Sequence, residues 1–498
     1  MARPASKTLP FLTLEDAKAT FNIFCCVCGI GSLGMPSNYA RAGWLYATIA
    51  LVFMGFANIY SSVVLSKMLL QAPPSVRTYG DLGEWVAGKG GRYLVVISQM
   101  GVCLMLPCAF LVLGGSLLEV LFPDCFSQSV WIIFMALMIV PVALIPTMKE
   151  STGMAMAGCL GTIVADFIGI AILVHEMRGH PKPPAADVSL HQVITTFGNL
   201  SLAYAAATVI PDLQRQHSQP ERMPRVIIIS LLISTAFFLS IAITGYLVGG
   251  CQMSGNLLFV VVNASDPYAL TSLKFTSSRA AVVMAFIFMQ MHLCVAFACF
   301  LHPAFYVFER VLLGMHAPTT PEGDAPQNDK ILYLVASTPA ELESNNDRVS
   351  HLQAASYMSV PNTMIAEKDL SEYKGGVNFI RYVVLRIALI TILVVVSILL
   401  RDSFLNLADL TGATAITMSS LIVPFVFYLK VFWTKIPAWE KLLCITTSGI
   451  CTIAGIYVSI GASKHLLMPE KEGVLFPFCP ADFQDEPYYV RMMTGASH

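Results

Sequence analysis

The densest cluster of residues suited to chemistry is Gly29-Ile30-Gly31-Ser32-Leu33-Gly34-Met35-Pro36, set within a long apolar run. Three glycines and a proline in eight residues are ill suited to a helix interior, where each glycine costs about 1 kcal/mol relative to alanine. Unwound backbone at bilayer depth is tolerated only where the freed groups face protein, ligand or water. A break here would start a new outer half-helix around Ser32 to Gly34, whose free N–H groups and positive dipole end suit an anion such as a carboxylate. Carbonyls closing the inner half, near Cys25 to Cys28, would suit an ammonium group or a cation. The competing reading is a small-residue interface between packed helices; the density of glycine and proline favours the break.

A second stretch, from Gly198 through Ala203, Tyr204 and Thr208 to Pro211, is again rich in small residues, polar in the middle and closed by proline. Alone it is the weaker sign, since alanine is a good helix former. Two interrupted helices at matching positions of two five-helix halves point to a transporter built from inverted repeats, with substrate at the midplane. Ionisable residues inside spans are functional candidates by default, and two stand out for proton coupling. Asp166 is the acidic residue near the centre of an apolar stretch, a hydrogen-bonded structural carboxyl being the alternative. His292 titrates near neutral pH when unperturbed, although a lone histidine is more often a satisfied core residue. Asp409, Glu119, Asp212 and Glu309 fall near span ends and read as gate or interface charges. One charge crossing about 100 mV carries roughly 2.3 kcal/mol, so one proton per substrate supports about a 50-fold accumulation.

The elements that must hold these residues are membrane spans. Of 498 residues, 56% are hydrophobic and 12% charged, against about a quarter charged in soluble domains, which excludes an ordinary soluble enzyme. The 30 Lys+Arg and 31 Asp+Glu nearly cancel, so nothing points to nucleic acid as a partner. Reading for runs of bilayer length yields eleven: 17–39, 44–70, 93–121, 130–146, 154–174, 192–213, 226–249, 280–313, 379–400, 404–430 and 441–462. Only Arg401-Asp402 separates the ninth from the tenth. The expected organisation is a cytoplasmic amino terminus (1–16), five-helix repeats over 17–174 and 175–430, an eleventh helix (441–462) and an extracytosolic tail (463–498). Segment 315–376, with Pro, Ser, Asn and mixed charge, reads as a disordered cytoplasmic loop within the second repeat. Residues 78–88 are patterned as a short amphipathic helix at the inner surface.

Lysine and arginine favour the amino-terminal side by roughly two to one, which places that terminus in the cytosol. Asn263-Ala-Ser then falls in an outside loop as the candidate glycosylation site, whereas Asn199-Leu-Ser is embedded. Met1–Thr13 has no apolar core of the signal-peptide kind, so the first run is expected to stay as a span. Most of the thirteen cysteines lie in apolar runs, where they behave as small hydrophobes. No zinc spacing, nucleophile elbow or metalloprotease motif occurs, so no metal, cofactor or enzymatic activity is expected.

Several of these stretches together resemble the amino acid/auxin permeases of the amino acid–polyamine–organocation superfamily. They are Gly29–Pro36 with Ala42-Gly43-Trp44, Thr78-Tyr-Gly-Asp-Leu-Gly83, Tyr204 to Gln214, His302-Pro-Ala-Phe-Tyr-Val-Phe-Glu309, and Phe404 through Gly412 to Pro424. The resemblance covers about residues 12–463. It implies an all-α polytopic membrane protein of eleven helices in the leucine-transporter-type 5+5 inverted repeat, with helices 1 and 6 broken. It also implies secondary transport of amino acids, commonly with protons, by alternating access. By the same resemblance the amides of Gly31, Ser32 and Leu33 meet the substrate carboxylate, and carbonyls near Cys25 and of Ala203 and Tyr204 meet the ammonium. Gly29, Gly34 and Thr208 complete the candidate substrate-binding set. Two departures matter: Ala206-Ala207 stands where many members have Gly-His, and Cys25 stands where sodium-coupled relatives carry Asn. A thiol is a poor ligand for a hard cation, so sodium coupling becomes the lesser alternative. A sensor that binds an amino acid and signals through its cytoplasmic loop is the other. A plasma membrane and a vacuolar or lysosomal one fit equally, and the oligomeric state is open.

Overall fold

The computed structural model describes residues 11–73, 76–146, 152–253, 255–264, 266–316, 372–373, 375–467 and 474–490. The expected loop over 315–376 lies almost wholly outside the described residues. Helix α1 (Leu14–Val27) opens on a capping box: Thr13 accepts from the Asp16 N–H, and the Asp16 carboxylate accepts from the Thr13 N–H. It ends at Cys28, which is extended, and Gly29 follows at φ 156°, ψ −113°, where a side chain would be strained. One turn, α2 (Ile30–Leu33), leads into α3 (Met35–Gln71), with Pro36 in the first turn, where its missing N–H costs nothing. Gly43, at φ 70°, divides α3 into the second half of the first span and the whole of the second, with no loop between them.

Gly88 does the same in α4 (Tyr79–Leu121), at φ 68°, separating the short capped helix at 79–87 from the third span. There follow α5 (Gln128–Ala143), α6 (Thr152–Glu176), α7 (Leu190–Ala203) and α8 (Ile210–Gln216). Next come α9 (Met223–Gly249), the short α10 (Leu257–Val260), α11 (Arg279–Leu312) and α12 (Gly376–Leu399). A short 3-10 turn over Arg401–Ser403 keeps α12 apart from α13 (Phe404–Thr411). A π-helical stretch (Gly412–Ile422) joins α13 to α14 (Val423–Phe432), and α15 (Ala438–Leu467) closes the set. Among the described residues nine helices are long and apolar enough to cross a membrane. The expected count of eleven differs for two physical reasons: the first span is divided among α1, α2 and the start of α3, and α5 has only 16 residues.

In the interior α3 runs along α9 and α7, α11 along α6 and α4, and α1 passes between α6 and α9. One face of α15 carries exposed Leu442, Ile445, Ile453, Ile456 and Ile460, as a lipid-facing helix requires. The buried Arg386 of α12 has its charge met: Nε donates to Glu309 Oε1 of α11 (2.8 Å), and Nη1 to the carbonyls of Ala143 (2.9 Å) and Ile145 (2.8 Å), where α5 ends. The Tyr373 hydroxyl donates to the other Glu309 oxygen at 2.6 Å. Glu309 is thus the interface charge its position suggested.

One covalent feature was not anticipated. Cys251, after α9, is joined to Cys479 in the tail, 228 residues away. Both lie outside the apolar runs that hold most of the other cysteines, where local pattern carries no pairing information.

Candidate functional site

The final α-helical bond of α1 runs from the Cys28 N–H to the Phe24 carbonyl (2.8 Å), so the carbonyls from Cys25 onward are released from the ladder. Across the break the Leu33 N–H bonds the Gly29 carbonyl and the Gly34 N–H that of Ile30, both at 3.3 Å. The Leu33 amide, one of the three expected to meet a substrate carboxylate, is thus used within the turn. The Ser32 hydroxyl donates to the Gly29 carbonyl at 2.8 Å and braces the turn.

The second break is equally definite. Helix α7 ends at Ala203, Tyr204 leaves the helical region (φ −107°, ψ 36°), and Ala205–Thr208 form a 3-10 turn before α8 resumes. Gln99 of α4 donates to the Thr208 carbonyl (3.0 Å), and the Tyr204 hydroxyl pairs with that of Thr235 on α9 (2.8 Å). The two breaks touch: a Cβ on Gly31 would lie 2.7 Å from Ala203 Cα. Gly34 packs on Asn199, which accepts from Asn38 Nδ2 at 3.0 Å. The π-helical stretch closes on α7 from the other side, with Gly412 against the Gly198 carbonyl; such stretches are frequent at functional sites.

Both titratable candidates converge on the first break from different helices. Asp166 of α6 is fully buried, with its carboxyl beside the side chain of Ser32. His292 of α11, also buried, donates from Nδ1 to the Gly158 carbonyl (3.1 Å), while its Nε2 lacks a partner and faces Gly29. The space left at the break beside His292 is about 10 Å³, lined by Cys25, Cys28, Gly29, Gly31, Phe110 and His292 among others, room for no more than one water molecule. Of the expected site residues, Cys25, Gly29 and Gly31 line this space and Ser32 and Ala203 flank the breaks. Gly34, Tyr204 and Thr208 are engaged with neighbouring helices, and the Leu33 N–H is bonded within its own turn. Leu106, Phe110 and Leu202 also line it; they were not singled out, because nothing distinguishes them inside uniform apolar runs.

Charged clusters lie on either side of the breaks. On one side Arg41 meets Asp409 of α13 (3.7 Å) and donates to the Thr195 carbonyl (3.2 Å), at a cavity of about 680 Å³. On the other, Asp16 accepts from Arg222 at 2.5–2.9 Å and from His217 Nε2 at 3.1 Å. His217 Nδ1 accepts the Gln219 N–H (3.0 Å), so Nε2 carries the proton. Burial alone would raise the Asp16 carboxyl, but the Arg222 and Thr13 hydrogen bonds outweigh it and hold it at about 2.

Residues 16–468 match the family described as transmembrane amino acid transporter protein. The chain belongs to that family. It is a multi-pass integral membrane protein. Two relatives from Arabidopsis thaliana are the amino acid transporters AVT1D, 25% identical over 45% of this chain and 42% of its own length, and AVT1I, 26% identical over 47% and 60%. The chain thus spans about half the length of the curated relatives it matches. In three dimensions it is similar to the crystal structure of MhsT in complex with L-phenylalanine, with a TM-score of 0.53 and 12% identity over 91% of this chain and 99% of that one. At that identity the likeness shows the fold alone: the leucine-transporter-type inverted repeat with its first and sixth helices broken.

Proposed function

We propose that the protein is a secondary transporter of amino acids that works by alternating access and couples uptake to protons. The observation that carries the reading is Asp166, a fully buried carboxyl beside Ser32 at the break in the first span. Burying an ionised carboxylate costs several kcal/mol, so proton binding at Asp166 and closure around the break are linked. The amides of Gly31 and Ser32 are suited to the substrate carboxylate, and the released carbonyls from Cys25 onward, with that of Ala203, to the ammonium. His292 fills the space between them, so admitting a substrate requires its imidazole to withdraw from Gly29. Cys25 contacts the thiols of Cys159 and Cys299, a lining that favours protons over sodium.

The orientation proposed is amino terminus in the cytosol. A disulfide persists on the oxidising side of a membrane, and Cys251 and Cys479 both fall on the side that the basic residues assign to the outside. Asn263 lies on that same side, as a glycosylation site would. Both the plasma membrane and a vacuolar or lysosomal membrane satisfy this arrangement.

The test is uptake of each labelled amino acid by purified protein in liposomes at two external pH values. Faster uptake with an acidic exterior is expected for at least one of them. Uptake indifferent to pH removes the proton, and no uptake of any amino acid removes the transport reading.

A further inference from the structure

Residues 474–490 follow the region that matches the family, which ends at 468, yet they are built firmly into the molecule. Phe476, Cys479 and Tyr488 are buried. Gln252, next to the disulfide, donates to the carbonyls of Phe483 (2.9 Å) and Glu486 (2.8 Å) and accepts from the Tyr488 N–H (3.0 Å). The Tyr489 ring stacks on His180 at 3.9 Å, and its hydroxyl donates to the Leu273 carbonyl at 2.6 Å. The Asp187 N–H donates to the Phe478 carbonyl at 3.1 Å, which ties the segment to the chain leading into α7.

The product of all this anchoring is the position of one ring. Phe478 adjoins the disulfide-bonded Cys479, and its ring lies 5.2 Å from the Arg41 guanidinium carbon. That same guanidinium meets Asp409. Pro477 and Phe478 line one wall of the 680 Å³ cavity, whose other walls include Gln192, Asn406 and Tyr457. Arg41 belongs to the outer half of the first span and Asp409 to α13, so their pairing closes that mouth. We propose that residues 474–490 form a strap across it, in which Phe478 is a positioning residue that holds Arg41 on Asp409 and so limits access to the cavity.

An aromatic ring attracts a cation through its negative face. Phe478 meets Arg41 in the same position in which Arg41 pairs with Asp409, so under the proposal it stabilises the closed mouth over the open one. A contact of this class moves an open–closed equilibrium by about two- to five-fold. The disulfide contributes by keeping the ring at high local concentration above the mouth.

The test uses full-length protein in nanodiscs, where both sides are exposed to reagent, with Asn406→Cys as reporter in the cavity. The measurement is its rate of modification by a charged maleimide, resolved peptide by peptide, with the native exposed Cys125 as internal reference. Phe478→Ala is expected to raise the Asn406→Cys rate about two- to five-fold, with Cys125 unchanged and Phe478→Tyr at the parent rate. The pair Cys251→Ala and Cys479→Ala is expected to raise it at least as much. An unaltered reporter rate in Phe478→Ala overturns the proposal, and so does a parallel rise at Cys125, which would mean general loosening. The Phe478→Ala arm needs no intact double-cysteine variant, and the assay needs no substrate, so its outcome is separate from that of the transport assay.

Discussion

His292 Nε2 lies so close to Gly29 that a Cβ on that glycine would come within 2.0 Å of it. Gly29 also holds φ 156°, so Gly29→Ala faces a collision and backbone strain of about 1–3 kcal/mol together. Pairing it with His292→Ala relieves the collision and leaves the strain. Thermal unfolding in detergent should place the single variant lowest, the double variant between it and the parent; equal melting of single and double would remove the contact.

Gly31→Val should insert in the membrane and fail to transport. The physical reason is the 2.7 Å approach to Ala203: a side chain there forces the two breaks apart. Surface labelling with normal yield but no uptake is the expected pair of results, and normal uptake contradicts the placement of the site.

Asp166→Asn keeps the shape of the side chain and removes the proton. It should preserve folding and abolish the acceleration of uptake by external acid. Retained pH-driven accumulation in liposomes excludes Asp166 as the carrier.

Arg386→Met strands the buried carboxylate of Glu309, which also accepts from Tyr373. Breaking a buried pair from one side costs about 3–5 kcal/mol, while replacing both partners is often near neutral. Arg386→Met should therefore melt well below the parent, and adding Glu309→Gln should recover much of the loss.

The Asp16 carboxyl, held at about 2 against an ordinary 3.8, sits one residue ahead of the first apolar run. Its folded value is depressed, so its stabilisation is complete above about 3.8 and is lost as pH falls through about 2. Arg222→Ala removes the main partner and should narrow that window from below. Melting curves between pH 6 and 2 should show the variant below the parent at pH 6 and the difference closing as pH falls below about 3.8.

Much of the site was legible because the signals were local. Glycine and proline break a helix wherever they cluster, so Gly29–Pro36 and the Gly198–Pro211 stretch marked both interruptions without reference to neighbours. That the Leu33 amide is taken up within the turn was not legible, since it depends on where the first bond of a single helical turn closes. The intramembrane charge rule pointed to Asp166 and His292 as separate candidates; that they meet at one break, from α6 and α11, is a matter of packing.

The amino-acid sequence by itself determined the solvent, the succession of spans and the two weak points in them, because hydrophobicity and backbone propensity act over a few neighbouring residues. Tertiary structure alone decided which distant groups meet: Gly31 with Ala203, Arg386 with Glu309, Cys251 with Cys479, and Phe478 with Arg41. Those contacts join segments up to several hundred residues apart, and no local preference of either partner encodes the other.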